Sequence, residues 1–249
     1  MQFARYGKLL TEAYDLDKPE APAQELAYYL DWIRASREPV LEPMCGSGRF
    51  LVPLLEAGID ADGVDASPDM LASCRRRCQE RGLAPMLVEQ RLHELDLPRR
   101  YGVAFIPADS FGLILDRAEA SAALDRLFRH LLPGGRLLFE IQRPLPAPGR
   151  QDRWTGRWWT RPDGAHIVLR TITHYGLEER VARSGRGGPP AVSPMRSPRV
   201  AFRIAAIETR RAAAGVNPVL AVERPLRPSC ARIGDYRARD TGACDTTSR

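Results

Sequence analysis

The chain lacks the long apolar run of a membrane protein and the cysteine pattern of a disulfide-stabilised secreted domain. No apolar stretch approaches the roughly 18–20 residues of a membrane-spanning helix, and the first residues lack the apolar segment of a signal peptide. The five cysteines are odd in number and match neither a disulfide framework nor a C-x-x-C metal site. Cys74 and Cys78 are four residues apart, which favours packing on one helix face. We therefore expect a cytoplasmic protein with no membrane partner and no metal site.

Lysine is absent from Arg183 onward, where 13 arginines and five acids give a net charge of +8. The whole chain carries +6, so the first 182 residues carry −2 (+6 − 8). A basic tail can attract nucleic acid. However, Phe202 and Tyr236 are the only aromatic residues among these arginines, too few for stacking on bases. We interpret the tail as solvated or unstructured and regard nucleic acid as an unlikely partner.

A glycine turn between two predicted strands is the most informative feature that is present. Gly46 and Gly48 permit a tight turn and a close approach of backbone to a ligand. The following helix would point its free N–H groups at that ligand. Asp65 ends the next strand 19 residues after Gly46, close to the roughly 20-residue spacing at which an acid binds a ribose.

Two residues near this turn disfavour a dinucleotide. The third glycine of the dinucleotide fingerprint is replaced by Leu51. Glu42, on the first strand, suits a cationic amine better than a phosphate. An NAD(P)-binding oxidoreductase is therefore the weaker of two interpretations.

Strands alternate with helices from residue 39 to about residue 141, which predicts a parallel, doubly wound sheet. Right-handed crossovers bring the carboxyl ends of all such strands to one edge. Four segments should therefore meet in one crevice: residues 42–48, Asp65, residues 91–92 and residues 107–111.

These segments carry a family resemblance. Residues 42–50 resemble the first motif of class I S-adenosylmethionine-dependent methyltransferases, and residues 63–71 resemble the second. Residues 101–111 and 131–138 resemble the fourth and fifth strands of that family, and the resemblance runs from about residue 10 to about residue 182. It implies a Rossmann-like, mostly parallel α/β sheet and S-adenosylmethionine as the cofactor. A small antiparallel β insert is expected at about residues 150–176.

The resemblance also implies roles for individual residues. The backbone from Pro43 to Gly48 would hold the methionine portion of the cofactor, with Glu42 near its amino group. Asp65 would bind the ribose. Arg91 stands where many members have an acid for the adenine amine, so that contact is not expected here. The full set implied for the cofactor is Glu42, Pro43, Gly46, Gly48, Asp65, Ala66, Met70, Leu92 and Pro107.

Three residues are candidates for contact with the methyl acceptor, each with a structural alternative. Tyr14 precedes the first predicted helix (residues 24–34), in a region that serves as a lid in similar enzymes, but packing explains it equally well. Ser110 lies in the loop after the fourth strand. An ordinary position in that loop explains it nearly as well as contact with the acceptor. Trp158 belongs to a tryptophan cluster that either packs in the core or surrounds a cationic or planar substrate. We interpret His93 as a surface or turn residue and name no catalytic base.

The chain divides into three predicted parts: an N-terminal helical lid (1–38), a methyltransferase domain (39–182) and the arginine- and proline-rich tail (183–249). The family resemblance implies two more strands in the tail, the last of them antiparallel, but the sequence shows no convincing pattern for them. We hypothesise that the chain is frameshifted or strongly diverged after about residue 182, so that these strands are lost.

The sequence therefore predicts a methyltransferase that acts on an unidentified, small-molecule acceptor. The alternatives are the NAD(P)-binding oxidoreductase and a degenerate protein that binds a cofactor or nucleic acid without catalysis.

Overall fold

The structure is a computed structural model that describes residues 6–140, 155–176, 181–185 and 219–223. Its α-helices are α1 (Lys8–Asp17), α2 (Ala23–Ser36), α3 (Leu51–Glu56), α4 (Pro68–Gln79) and α5 (Arg117–Arg129). Its strands are β1 (Val40–Pro43), β2 (Ala61–Asp65), β3 (Leu87–Glu89), β4 (Tyr101–Ile106), β5 (Leu131–Glu140), β6 (Thr155–Thr160), β7 (His166–Gly176), β8 (Val181–Gly185) and β9 (Val219–Glu223). Short 3-10 helices lie at Leu92–Glu94 and Ser110–Leu113.

The main sheet has the strand order β3-β2-β1-β4-β5-β9. The first five strands are parallel, and β9 is antiparallel to β5. All residues of β1 and β4 are buried, as expected for central strands that are covered on both faces. The predicted doubly wound sheet is therefore confirmed.

Side chains of the central strands alternate between two apolar layers. Val40 packs in one layer and Leu41 in the other, and Val103 and Ala104 divide in the same way. One layer is covered by residues of α2, α3 and α4, and the other by residues of α5 and of the two 3-10 helices. This alternation follows from the two-residue period of a strand.

Helix α4 begins where local chemistry predicts. The Ser67 side chain accepts a hydrogen bond of 3.2 Å from the Met70 N–H, and Pro68 occupies the first helical position. This start places Met70 at the cavity described below and directs Cys74 and Cys78 into the core. The predicted packing of both thiols on one helix face is confirmed.

The second sheet, β6-β7-β8, is antiparallel and extends the expected β insert to Gly185. In the predicted tail, the structure describes residues 183–185 of β8 and the strand β9; the rest of the tail lies outside the described residues. Strand β9 is antiparallel, as the family resemblance implies for the last strand, so the hypothesis that these strands are lost is wrong for β9, which forms by pairing with β5. Within the described residues, no helix is long and apolar enough to cross a membrane.

Candidate functional site

A cavity of about 800 Å³ opens at the carboxyl ends of β1 to β4. Wall residues follow each of these strands: Met44, Ala66 and Gln90 come directly after β1, β2 and β3, and Ala108 comes two residues after the end of β4. The crevice that sequence topology predicts at this edge of the sheet is present. The wall comprises Tyr6, Tyr14, Lys18, Met44, Gly46, Asp65, Ala66, Ser67, Met70, Gln90, Arg91, Leu92, His93, Ala108, Asp109, Ser110, Leu113, Ile114 and Glu119.

Asp65 connects the glycine turn to the end of β2. Its Oδ2 accepts a 2.8 Å hydrogen bond from the Gly46 N–H, and its Oδ1 accepts one of the same length from the Ser67 N–H. Each carboxylate oxygen can accept a second hydrogen bond from a ligand hydroxyl. Burial raises the pKa of Asp65 above its ordinary value, whereas the N–H groups of Ser67, Gly46 and Ala66 oppose that rise.

The two glycines of the turn serve different purposes. Gly46 has φ +55°, and a Cβ added there would meet only Met70 Sδ, at 3.9 Å, within 4 Å. A Cβ on Gly48, at φ +80°, would lie 2.6 Å from Cys74 Sγ. Gly46 therefore lines the cavity, whereas Gly48 lets the turn pack closely on α4. The sequence interpretation places both glycines against a ligand; in the structure, Gly46 faces the cavity and Gly48 faces α4.

Three residues on the cavity wall adopt left-handed backbone conformations that favour glycine. Met44 follows β1 with φ +60°, and Ala108 and Asp109 follow β4 with φ of +57° and +55°. Such conformations are costly for residues with a Cβ, and they cluster at functional sites. Sequence reasoning missed them because a conformation of this kind leaves no signal in a residue's identity.

Glu42 lies beneath the cavity wall, with its side chain buried and its residue only 2% exposed. Its Oε2 is a buried oxygen without a hydrogen-bond partner among the described residues. Burial raises the pKa of Glu42 well above its ordinary value, and the neighbouring Cys74 and Asp65 add to the rise. The Leu51 N–H and the Arg49 guanidinium oppose this rise, but Oε2 itself has no partner among the described residues.

The side of the cavity formed by Ala66, Met70 and Leu92 is apolar, and hydrogen bonds hold part of its backbone in place. Met70 and Leu92 are buried there, and Ala66 is exposed to the opening. Gln90 exchanges two hydrogen bonds, of 3.0 and 3.2 Å, with the backbone of Asp96, which fixes the segment before Leu92. Arg91 also lines the cavity and is exposed.

The segment from Tyr6 to Lys18 covers one side of the cavity. The Ser67 hydroxyl donates a 2.6 Å hydrogen bond to the Tyr6 carbonyl. Tyr6 and Tyr14 pack edge to face with ring centroids 6.0 Å apart, and both line the cavity. The side chain of Asp15 accepts a 2.5 Å hydrogen bond from the Ser73 hydroxyl and so ties α1 to α4.

Not every residue implied by the resemblance lies on the cavity wall. Pro43, Gly48 and Pro107 are buried behind it. Ser110 lines it and donates a 2.9 Å hydrogen bond to the Pro107 carbonyl. Trp158 is 66% exposed on the β6–β7 hairpin, packs edge to face on His166, and lies outside the cavity wall.

His93 and Glu119 form a pair on the wall that sequence reasoning did not find. Their closest atoms, His93 Nδ1 and Glu119 Oε2, are 3.9 Å apart. Glu119 is placed by the start of α5, where the Asp116 side chain accepts a 3.0 Å hydrogen bond from its N–H. The two residues are 26 positions apart (119 − 93), and no local pattern relates them.

A family profile described as a methyltransferase domain matches residues 40–135. Over 143 residues, the chain is 29% identical to a dTDP-3-amino-3,6-dideoxy-alpha-D-glucopyranose N,N-dimethyltransferase from Streptomyces fradiae, a match that covers 55% of this chain and 54% of the relative. The chain spans about half the length of the curated relatives it first matches.

Solved methyltransferases share the fold. A sugar N-methyltransferase from Streptoalloteichus matches 90% of this chain and 98% of its own, with a TM-score of 0.62 and 20% identity. An amino pentose methyltransferase from Micromonospora echinaspora, solved with S-adenosylmethionine bound, matches 90% of this chain and all (100%) of its own, with a TM-score of 0.58 and 19% identity.

The parallel sheet with a cavity at its carboxyl edge is a Rossmann-like methyltransferase fold. Residues 40–135 match a methyltransferase domain, and the relatives and solved structures that the chain resembles are S-adenosylmethionine-dependent methyltransferases. The NAD(P) oxidoreductase interpretation is not favoured.

Proposed function

We propose that this protein transfers a methyl group from S-adenosylmethionine to an amine or hydroxyl of a small molecule. The observation that carries the proposal is the position of Asp65. Its carboxylate accepts a 2.8 Å hydrogen bond from the Gly46 N–H. The same carboxylate lines the cavity and can accept further hydrogen bonds from a ligand. A ribose diol requires such a carboxylate beside an open glycine turn.

The surrounding residues fit the other parts of the cofactor. We propose that Ala66, Met70 and Leu92 contact the adenine, because they form an apolar wall next to Asp65. The buried, unpartnered Glu42 oxygen suits the ammonium of the methionine portion. Pro43, Gly48 and Pro107 would act from behind the wall by shaping the turns that carry Gly46 and Ser110.

S-adenosylmethionine, when bound, supplies a methyl group on a positively charged sulfur. The protein has to hold an acceptor lone pair in line with that methyl group and keep water away. We propose that Tyr14, Ser110, Leu113 and Ile114, which line the cavity, contact the acceptor. Asp109, or the His93–Glu119 pair, would take up the proton that the acceptor loses.

The acceptor is proposed to be a small molecule of about the size of a sugar. The cavity of about 800 Å³ falls in the range of roughly 300–1,000 Å³ that is typical of small-molecule sites. The similarity to an amino-sugar dimethyltransferase supports an amine as the first group to test.

Calorimetric titration and a methyl-transfer assay test the proposal. We expect the chain to bind S-adenosylmethionine and S-adenosylhomocysteine, but not NAD, and to transfer labelled methyl to members of an amino-sugar and phenol panel. Binding of neither adenosyl ligand would refute the proposal. Binding without transfer to any acceptor would favour the non-catalytic alternative.

Asp65→Ala should weaken binding of S-adenosylhomocysteine by about tenfold to a hundredfold, since charge-assisted hydrogen bonds of ~1.5–3 kcal/mol are lost. Asp65→Asn should be intermediate, because the amide keeps one acceptor oxygen. Glu80→Ala on the exposed side of α4 is the control and should bind normally. An unchanged dissociation constant in Asp65→Ala would contradict the ribose role.

A further inference from the structure

Apolar side chains are exposed on two segments that border the cavity, α1 and the connection from β4 to α5. Among the described residues, the exposed large apolar side chains are Leu9, Leu16, Leu113, Leu115, Trp158 and Val168. The first two belong to α1, and the next two lie between β4 and α5. A single exposed leucine is ordinary on a protein surface, whereas exposed apolar residues beside a cavity indicate a binding surface. Of these four leucines, Leu113 lies on the cavity wall.

The outward position of Leu113 is set by buried neighbours. Phe111, in the 3-10 helix Ser110–Leu113, is 8% exposed and packs on Phe139 with ring centroids 5.2 Å apart. The Ser110 hydroxyl donates a 2.9 Å hydrogen bond to the Pro107 carbonyl at the start of the same turn. Residues two apart in a 3-10 helix point in different directions. Leu113 therefore points away from Phe111, is 54% exposed, and is held on the cavity wall by the packed helix.

Polar groups lie on the same wall a few residues earlier in the chain. Asp109 and Ser110 both line the cavity. A Cβ added to Gly112 would lie 3.3 Å from Asp109 Oδ1 and 3.4 Å from Asp109 Oδ2, so the carboxylate folds back over the 3-10 helix that carries Leu113. The wall after β4 therefore changes from polar to apolar along a single turn of chain.

Ile114 and two tyrosines extend the apolar surface of the cavity. Ile114 lines the cavity and packs partly against the apolar layer that α5 covers. From the α1 side, Tyr6 and Tyr14 contribute aromatic rings that pack edge to face. A wholly polar acceptor would leave Leu113 exposed to water when bound. An acceptor with an apolar part would cover it, and removal of that apolar area from water would favour binding.

Charged residues on the wall define the competing kind of acceptor, an anion. Lys18 and Arg91 line the cavity and could attract a negative charge. Three acids, Asp65, Asp109 and Glu119, line the same cavity. The wall therefore carries no excess of positive charge with which to select an anionic acceptor.

We propose that the methyl acceptor is amphiphilic: its polar, methyl-accepting group lies beside Asp109 and Ser110, and an alkyl or aryl part lies against Leu113 and Ile114 at the opening of the cavity. This rests on the proposed function and names the class of acceptor for the same site. Leu113 becomes the residue that selects an acceptor with an apolar part over a wholly polar one.

A series of phenols tests the class of acceptor by calorimetric titration into the full chain saturated with S-adenosylhomocysteine, which occupies the cofactor part of the cavity. In 4-methylphenol, 4-propylphenol and 4-pentylphenol the hydroxyl is constant while the alkyl chain lengthens. We expect the affinity to rise about twofold to fourfold for each added methylene, as for an alkyl chain that leaves water for an apolar surface. 4-(3-Methylbutyl)phenol should bind at least about tenfold more tightly than 3-(4-hydroxyphenyl)propanoate, which has a similar shape but carries a carboxylate.

Variants at two exposed leucines assign the effect to a position. Leu113→Asn should reduce the gain to less than about 1.5-fold for each methylene, because the alkyl chain loses its apolar contact. Leu113→Met keeps an apolar side chain and should keep the dependence on chain length. Leu9→Asn is the matched control, since Leu9 is 63% exposed on α1 and lies outside the cavity wall, and it should match the unmodified chain. Both asparagine variants change exposed side chains, so their melting temperatures should stay within about 2 °C of the unmodified chain.

An affinity that does not rise with chain length, or no binding of any of the phenols, would overturn this assignment. Tighter binding of the propanoate would show that Lys18 and Arg91 select an anionic acceptor instead. A dependence on chain length that persists in Leu113→Asn would place the alkyl chain elsewhere. A dimer that dissociates in Leu113→Asn, without any dependence on chain length, would show that the leucine binds a second copy of this chain. Failure of the unmodified chain to bind S-adenosylhomocysteine would instead refute the proposed function.

Discussion

Met44 shows how the site depends on a single backbone angle. It turns the chain from β1 into the glycine turn with φ +60°, and its side chain packs partly against one apolar layer. The backbone strain at residue 44 comes from its positive φ, whereas the packing comes from the Met44 side chain. Substitutions that remove the side chain but differ in backbone freedom can separate the two contributions.

Met44→Gly should be more stable than Met44→Ala by about 1 kcal/mol, because both lose the side chain and only glycine adopts this φ without cost. Urea unfolding of the two variants measures the difference. Ala57→Gly, at φ −78° after α3, is the control and should lower stability. An alanine variant as stable as the glycine variant would show that the backbone at residue 44 is unstrained.

Glu42 is a residue whose contribution to stability opposes its proposed role in binding. Burial raises the pKa of the Glu42 carboxyl above its ordinary value of about 4.5. The protonated carboxyl therefore stabilises the fold fully below about pH 4.5, and this stabilisation is lost as the pH rises through the raised pKa. An ionised, buried carboxylate with one unpartnered oxygen therefore weakens the empty protein.

Glu42→Gln should raise the melting temperature of the ligand-free protein, with a larger gain at pH 8 than at pH 5. The same change should weaken S-adenosylhomocysteine by at least about tenfold, because the ammonium loses an ionic partner. Scanning calorimetry at the two pH values and titration at pH 8 provide the measurements. A stability gain that does not depend on pH would argue against a buried carboxylate that titrates.

At the scale of elements, α1 is held from two sides. Asp15 bonds to Ser73 of α4 at 2.5 Å. On the other side, Arg161 Nε lies 2.6 Å from Glu12 Oε1, and Arg157 NH1 lies 2.8 Å from Asp17 Oδ1. The β6–β7 hairpin therefore reaches the cavity indirectly, through the helix that carries Tyr14.

Loss of the ion pairs between the hairpin and α1 should speed cofactor release more than it lowers stability, since exposed pairs contribute little to folding. The Arg157→Ala, Arg161→Ala double variant should release S-adenosylhomocysteine about twofold to fivefold faster in stopped-flow experiments, with a nearly unchanged melting temperature. Reversing one pair, as Glu12→Arg with Arg161→Glu, should restore slow release. If the reversed pair releases as fast as the double variant, the pairing itself is not what holds α1.

At the scale of the whole molecule, β9 closes one edge of the sheet. It pairs with β5 over five positions, from Glu140 opposite Val219 to Arg136 opposite Glu223. An uncovered β5 would present unpaired backbone groups to other chains.

A chain that ends at residue 216 should therefore have a lower melting temperature and a greater tendency to aggregate than a chain that ends at residue 224. Light scattering during thermal unfolding compares the two, and the full chain serves as the reference. Equal behaviour of the two truncated chains would mean that β9 does not protect the sheet.

Much of the fold could be predicted because its signals are local. The cap at Ser67 and Pro68, the period of α4 and the spacing from Gly46 to Asp65 each span no more than 20 residues. The crevice followed from topology, since parallel strands end at one edge. Strand β9 was missed because five residues without a clear alternating pattern become a strand only beside β5.

By itself, the sequence determined the order of strands and helices from α2 to β5, the glycine turn and the acid at the end of β2. Short-range periodicity and backbone freedom are enough to specify these. Tertiary structure alone decided which groups share the site: a buried Glu42 oxygen without a partner among the described residues, His93 beside Glu119, and α1 held to a hairpin 149 residues away along the chain. These contacts depend on where segments that are far apart in the sequence meet in the fold, and no local pattern of residues encodes that meeting.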